Sequence, residues 1–429
     1  MYLSALFLVC LAAAASYAPQ QVLPPSRDPW YKAPADWELS KPGSVLRIRT
    51  APGNLTTEVV ANATAAYHIL YRTTDSHYHP SWAVTTLFVP KTKFVSPSGR
   101  QALLSYQFAY DSANVDSSPS FGLYYALAQD VPSLGIESDT KLLGTLLGNG
   151  WYVNTPDYEG PRAAFGAKVL SGYATLDAQR AVLSLARQTL SITPENINLA
   201  LWGYSGGSYA TGAAAELQVQ YAPELSIAGA AIGGVVANFS ADFDYFNGSA
   251  IAGDLVSVIL GLMAEYPAAR EYVESKLLPT TASEFLGTYN RTLGQATAYF
   301  SFKDIYKYFV NGRQDLFSSP ILQKIYARDT VLGTHGIPHI PMYVYKAIGD
   351  TYCPVKETDV LVKKWCASKA DILYRRNTVG GHVAEINNGK PGALEWLWGI
   401  FNESFRPQME CSIQNYTVNI SSVAANQAG

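Results

Sequence analysis

The chain has 429 residues, which at about 150 residues per domain allows two or three units, or one large α/β domain with an insertion. Lys and Arg total 31 against 34 Asp and Glu, so the net charge is −3, and the absence of any basic block argues against a nucleic-acid partner. Charged residues make up 15% and apolar residues 48%, a balance that excludes disorder for most of the chain.

Residues 1–18 begin with the short apolar run MYLSALFLVCLAAAAS and read as a secretory signal peptide cut between Ala15 and Ala18. The run is too short to be retained as a membrane span. Export agrees with eight N-x-S/T triplets, beginning at Asn54, Asn62, Asn238, Asn247, Asn290, Asn402, Asn415 and Asn419, which are glycosylation candidates on a secreted, extracellular chain. Once Cys10 has left with the signal, Cys353, Cys366 and Cys411 remain, an odd number that implies one free thiol or an intermolecular bridge.

Residues 19–43, rich in Pro and Trp, read as an extended arm. Short β-rich runs at 45–48, 67–71 and 82–89 predict an antiparallel meander. A strand at 102–108, a helix near Leu142, a strand at 151–155, a helix over 174–190 and a buried strand at 197–202 then alternate. That rhythm implies a mostly parallel central sheet with helices on both faces.

After a strand at 227–236 the alternation stops. Residues 238–330 show only helical stretches and predict an inserted, mainly helical cap, within which 251–266 reads as a buried helix in preference to a lipid-facing lid. The core resumes over 331–429, with a strand at 341–348, a helix at 355–366, a strand at 372–374 and a last helix at 393–401. The division expected is therefore 19–237 and 331–429 as the core, interrupted by 238–330.

The sharpest motif is Gly203-Tyr204-Ser205-Gly206-Gly207, a G-x-S-x-G turn placed between a strand and a helix. A serine on so tight a turn projects its hydroxyl clear of the backbone, as in the nucleophile elbow of the α/β-hydrolase fold. The backbone N–H of Gly206 would be one oxyanion donor. A serine hydroxyl needs a histidine base held by a carboxylate, in the chain order Ser, acid, His. His335 and His339 lie in a Gly/Pro segment before a strand, which leaves His382, in Gly380-Gly381-His382, as the base. Asp350, just past the strand at 341–348, is the expected acid against the alternative of a helix cap, with Asp242 and Asp244 as fallbacks.

The second oxyanion donor should come from the loop after the strand at 102–108, where Asp111 supplies a backbone N–H and a surface turn is the competing reading. His68, His77 and His79 lack a Cys or carboxylate cluster to close a metal site, and the 144–150 loop lacks the Lys-Ser/Thr of a phosphate cradle. No metal and no cofactor is expected.

With these residues in place the sequence resembles the fungal secretory lipases of the Candida lipase A type. The likeness is carried by SYQFAYDS around Asp111, GWYVNTPDYEGP from Gly150, LWGYSGGSYAT, the insertion before the acid, and the late Trp365-Cys366 and Gly380-Gly381-His382. It implies acyl-ester hydrolysis by Ser205, Asp350 and His382, an oxyanion hole from Asp111 and Gly206, a helical cap, and a Cys366–Cys411 disulfide. Cys353 departs from the pattern and is expected to be a free thiol, and no cysteine pair joins the Asp111 loop to the cap. The expected protein is a secreted, monomeric triacylglycerol lipase acting on lipid esters, possible at an oil-water interface. A carboxylesterase or acyltransferase on soluble esters, or a non-catalytic binding protein of the same fold, are the alternatives.

Overall fold

The computed structural model describes residues 21–53, 55–56, 60–124, 136–187, 192–407 and 410–420, so the expected signal peptide and Asn54 lie outside the described residues. Three strands, β1 (Val45–Thr50), β2 (Ala63–Thr74) and β3 (Pro80–Pro90), form the expected antiparallel meander. At the β2–β3 turn Asp75 Oδ1 accepts the backbone N–H groups of His77 and His79, both at 2.8 Å, an Asx-type closure.

β4 (Gln101–Gln107) is followed by a single turn α1 (Pro119–Gly122), α2 (Ile136–Gly148), β5 (Tyr152–Pro156), α3 (Lys168–Leu185), β6 (Ile197–Tyr204), α4 (Gly206–Tyr221) and β7 (Ile227–Gly233). Then come α5 (Phe239–Phe246), α6 (Ala252–Glu265), α7 (Pro267–Lys276), α8 (Ala282–Leu286), α9 (Leu293–Phe300), α10 (Arg313–Phe317) and α11 (Pro320–Ile325). β8 (Met342–Ala347), α12 (Val355–Ala367), β9 (Ile372–Asn377), α13 (His382–Phe401) and β10 (Cys411–Tyr416) follow among the described residues.

The ten strands make one sheet in the order β1-β2-β3-β5-β4-β6-β7-β8-β9-β10. Pairing is antiparallel from β1 to β5 and parallel from β5 to β10. β6 shows why the strands read as apolar runs: every residue after Ile197 is buried, because helices cover both its faces. On one face the Asn198 amide reaches the Ile400 carbonyl of α13 at 3.0 Å, and on the other Gly203 lies against Gly207 and Thr211 of α4. The small run Ala213-Ala214-Ala215 is fully buried where α4 meets α3.

Three boundaries differ from the sequence reading. α3 spans Lys168–Leu185, not 174–190, since the residues before Ala174 already lie in the helix and are buried. α13 spans His382–Phe401, with Pro391 inside it, and not 393–401 alone. β10, with the polar sequence CSIQNY, carries no strand signal and is an edge strand added parallel to β9. Within the helical stretch, α6 is almost wholly buried, as the preference for a buried helix expected. Among the described residues no helix is long and apolar enough to cross a membrane. Cys366 and Cys411 form a disulfide and Cys353 is free and buried.

Candidate active site

Ser205 sits between the last residue of β6 and the first of α4 at φ 53° and ψ −126°, a conformation that side-chain-bearing residues seldom adopt. The glycines flanking it are sterically required. A Cβ on Gly203 would overlap the Gly207 backbone, and one on Gly207 would overlap the Gln107 carbonyl of β4. The turn is thereby clamped between two strands and its helix.

The structure brings Ser205, His382 and Asp350 together. His382 opens α13, its Nε2 lies 2.8 Å from Ser205 Oγ, and its Nδ1 lies 2.7 Å from Asp350 Oδ2. A carboxylate only accepts, so Nδ1–H donates to Asp350 and Nε2 is left to accept the serine proton. The imidazole is braced by Tyr204, whose hydroxyl donates to the His382 carbonyl at 2.6 Å, and by the Tyr352 ring with its centroid 5.4 Å away.

Asp350 lies past the end of β8, and the cap of α12 is Pro354, so Asp350 does not cap that helix. Its Oδ1 accepts the backbone N–H groups of Tyr352 at 2.9 Å and Cys353 at 3.0 Å. Its Oδ2 also contacts Lys346 Nζ at 2.8 Å. Burial alone would raise the pKa of this carboxyl, but His382 and Lys346 outweigh burial and hold it well below the usual carboxylate range.

Neither fallback acid is hydrogen-bonded to His382. Asp244 is engaged by Arg313 at 2.8 and 2.7 Å and by Tyr306 at 2.6 Å. Asp242 is buried near Lys346 and Asp350, and burial pushes its carboxyl well above the ordinary value.

Asp111 is buried with φ 42°, and its carboxyl covers the Gly206 Cα so closely that a methyl there would overlap it. Burial, and next the nearby Asp254 of α6, push this carboxyl well above the ordinary range, which favours its protonated form, one with an O–H to donate. In place of a disulfide, a 3.0 Å bond from Ser112 Oγ to the Arg291 carbonyl ties this loop to the helical stretch.

Lys346 was not singled out by sequence reasoning, although a lysine inside the otherwise apolar PMYVYKAI was its signal. The other histidines stand apart from Ser205: His335 contacts Thr334, and His77 contacts the Glu265 carbonyl. Among the described sequons, Asn62, Asn290, Asn415 and Asn419 are exposed, Asn62 also bonding Gly144, whereas Asn238 caps α5, Asn247 bonds Asp304 and Asn402 accepts from Ser404.

A family model described as secretory lipase matches residues 126–407. The chain belongs to that family. It is 51% identical over 399 residues to a probable trichothecene esterase of Stachybotrys chartarum, covering 93% of this chain and 81% of that one. It is 45% identical over 422 residues to a trichothecene C-3 esterase of Fusarium sporotrichioides, covering 95% of this chain and 91% of that one. Among solved structures, Candida antarctica lipase A in its closed state superposes with a TM-score of 0.81 at 26% identity, covering 95% of each chain. The secretory lipase of this sequence is thus an ester hydrolase of lipase or esterase type, with the α/β-hydrolase-like fold of those enzymes.

Proposed function

We propose that the protein hydrolyses carboxylic esters through a covalent acyl-enzyme on Ser205. His382 takes the serine proton as Oγ attacks the ester carbonyl, and Asp350 stabilises the resulting imidazolium. The oxyanion is bound by the backbone N–H of Gly206 and by Asp111, through its backbone N–H and its neutral carboxyl. The alcohol leaves with the proton from His382, and water activated by the same imidazole then releases the acid. The observation that carries this reading is the unbroken path from Ser205 Oγ through His382 to Asp350, at 2.8 and 2.7 Å. Its test is Ser205→Ala, which should lower kcat by about 10⁴-fold or more with the fold intact.

For the substrate we propose an ester borne on a trichothecene-type alcohol, on the strength of the 51% and 45% identities to two trichothecene esterases. Triacylglycerol is the second reading, favoured by the match to Candida antarctica lipase A. Comparing kcat/KM on a C-3-acylated trichothecene and on an emulsified triacylglycerol separates them, and a preference for the emulsion overturns the first. The signal-like start and the eight sequons support secretion and glycosylation. We propose further that 238–330 forms a cap on a core made of 19–237 and 331–429, with the chain acting as a monomer; the Ser112–Arg291 bond supports contact between cap and oxyanion loop.

A further inference from the structure

We infer that Lys346 is a positioning residue for the Ser205–His382–Asp350 relay, its ammonium setting how low in pH the imidazole stays free to act as a base. This deepens the catalytic reading above and rests on it. Lys346 lies in β8, and its side chain has no solvent exposure. An apolar residue of similar length would fill the same space without the desolvation cost of an ammonium, so a buried lysine here needs an electrostatic reason.

The contacts supply one. Nζ lies 2.8 Å from Asp350 Oδ2, the same oxygen that His382 Nδ1 approaches at 2.7 Å, so the two nitrogens stand no more than about 5.5 Å apart across it. A second bond, 2.9 Å to the Val235 carbonyl just past β7, fixes the ammonium in place. The titratable groups facing Lys346 are Asp350, Asp242 of α5, Glu385 of α13 and the Cys353 thiol. Burial pushes Asp242 and Cys353 well above their ordinary values and Glu385 up to about 7, so Asp350 is the one held ionised.

Lys346 therefore does two things. It keeps Asp350 charged and locks the orientation of its Oδ2 toward His382. It also places a permanent positive charge beside the imidazole, so that each proton added to His382 in the free enzyme meets repulsion. At that separation and an effective dielectric near 20, the repulsion disfavours protonation by about a hundredfold.

The test is the pH profile of kcat/KM, whose acid limb reports the free enzyme's base. For Lys346→Met the limb should move up by about one pH unit or more, leaving the variant about tenfold slower below the inflection and recovering above it. Lys346→Gln keeps a donor but not the charge and should move the limb the same way, so it serves if the methionine variant does not fold. Lys346→Arg should keep the limb near its original position. A lysine that merely fills space would lower stability without moving the limb, and an unmoved limb in any folded uncharged variant overturns the inference. Failure of the catalytic reading would look different: Ser205→Ala would remain active, and the inference about Lys346 would fall with that reading.

Discussion

At the scale of single residues, the proposed oxyanion side of the site makes the sharpest demand. The Asp111 carboxyl, pushed well above its ordinary value by burial and next by Asp254, is pressed against Gly206 beside the Ser205 turn. If it acts as a neutral donor, Asp111→Asn preserves both shape and donor and should keep kcat within about tenfold, whereas Asp111→Ala should lose about 10²–10³. Steady-state rates on a nitrophenyl ester check this, and equal losses in both variants would remove the side chain from the mechanism. That Asp111 would stand beside the Ser205 turn was legible because the proposed donor loop follows the first parallel strand, but the upward shift of its carboxyl was not. That depends on burial and on Asp254, which is distant in sequence and is brought close by folding. The same holds for Lys346: sequence order could narrow the acid to Asp350, Asp242 or Asp244, yet the residue that holds Asp350 ionised is visible only in three dimensions.

At the scale of elements, what could be read depended on how each element is stabilised. The inner parallel strands β4 to β8 are buried on both faces and announce themselves as apolar runs, and the elbow is enforced by local sterics, so both were readable. β10 is neither. Its residues are mostly polar, and it is held at the sheet edge by pairing with β9 and by the Cys366–Cys411 bridge, whose cysteines stand 45 residues apart. Tyr416 of β10 adds a 2.7 Å bond to Glu385 at the start of α13. A loop of that length should contribute about 2–4 kcal/mol through restriction of the unfolded chain. Replacing Cys366 and Cys411 together by alanine should therefore lower the denaturation midpoint by that equivalent and expose the amides of β10 to hydrogen exchange first. Unchanged exchange in β10 would show that strand pairing alone retains it. α13 starts earlier than its sequence pattern indicated, because it packs on β7 and β8 from His382 onward, through Pro391.

At the scale of the whole molecule, buried carboxyls knit the helices between β7 and β8 to the sheet core. Glu265, at the end of α6, accepts the Ser76 N–H at 2.7 Å and pairs with Arg162 at 2.8 Å, and Asp329 accepts the Val169 N–H at 2.8 Å. Burial pushes Asp157, Asp254 and Glu385 up to about 7 and Asp177 up to about 6. These groups bind protons more tightly folded than unfolded, so the stability they contribute is complete below the ordinary carboxylate value of about 4 and is lost as pH rises through 6 to 7. Asp350 works in the opposite direction: its depressed value contributes stability above about 4 that disappears on further acidification. Calorimetry should therefore show Tm higher near pH 4.5 than near pH 8, and a Tm that rises steadily across that range would contradict the assigned shifts.

All of this turns on whether Ser205 is the nucleophile, and covalent labelling with a fluorophosphonate followed by peptide mapping asks that directly. The account predicts one adduct per chain, on Ser205, with hydrolytic activity lost in proportion to labelling. An adduct on a different serine, or full activity in fully labelled protein, would contradict it.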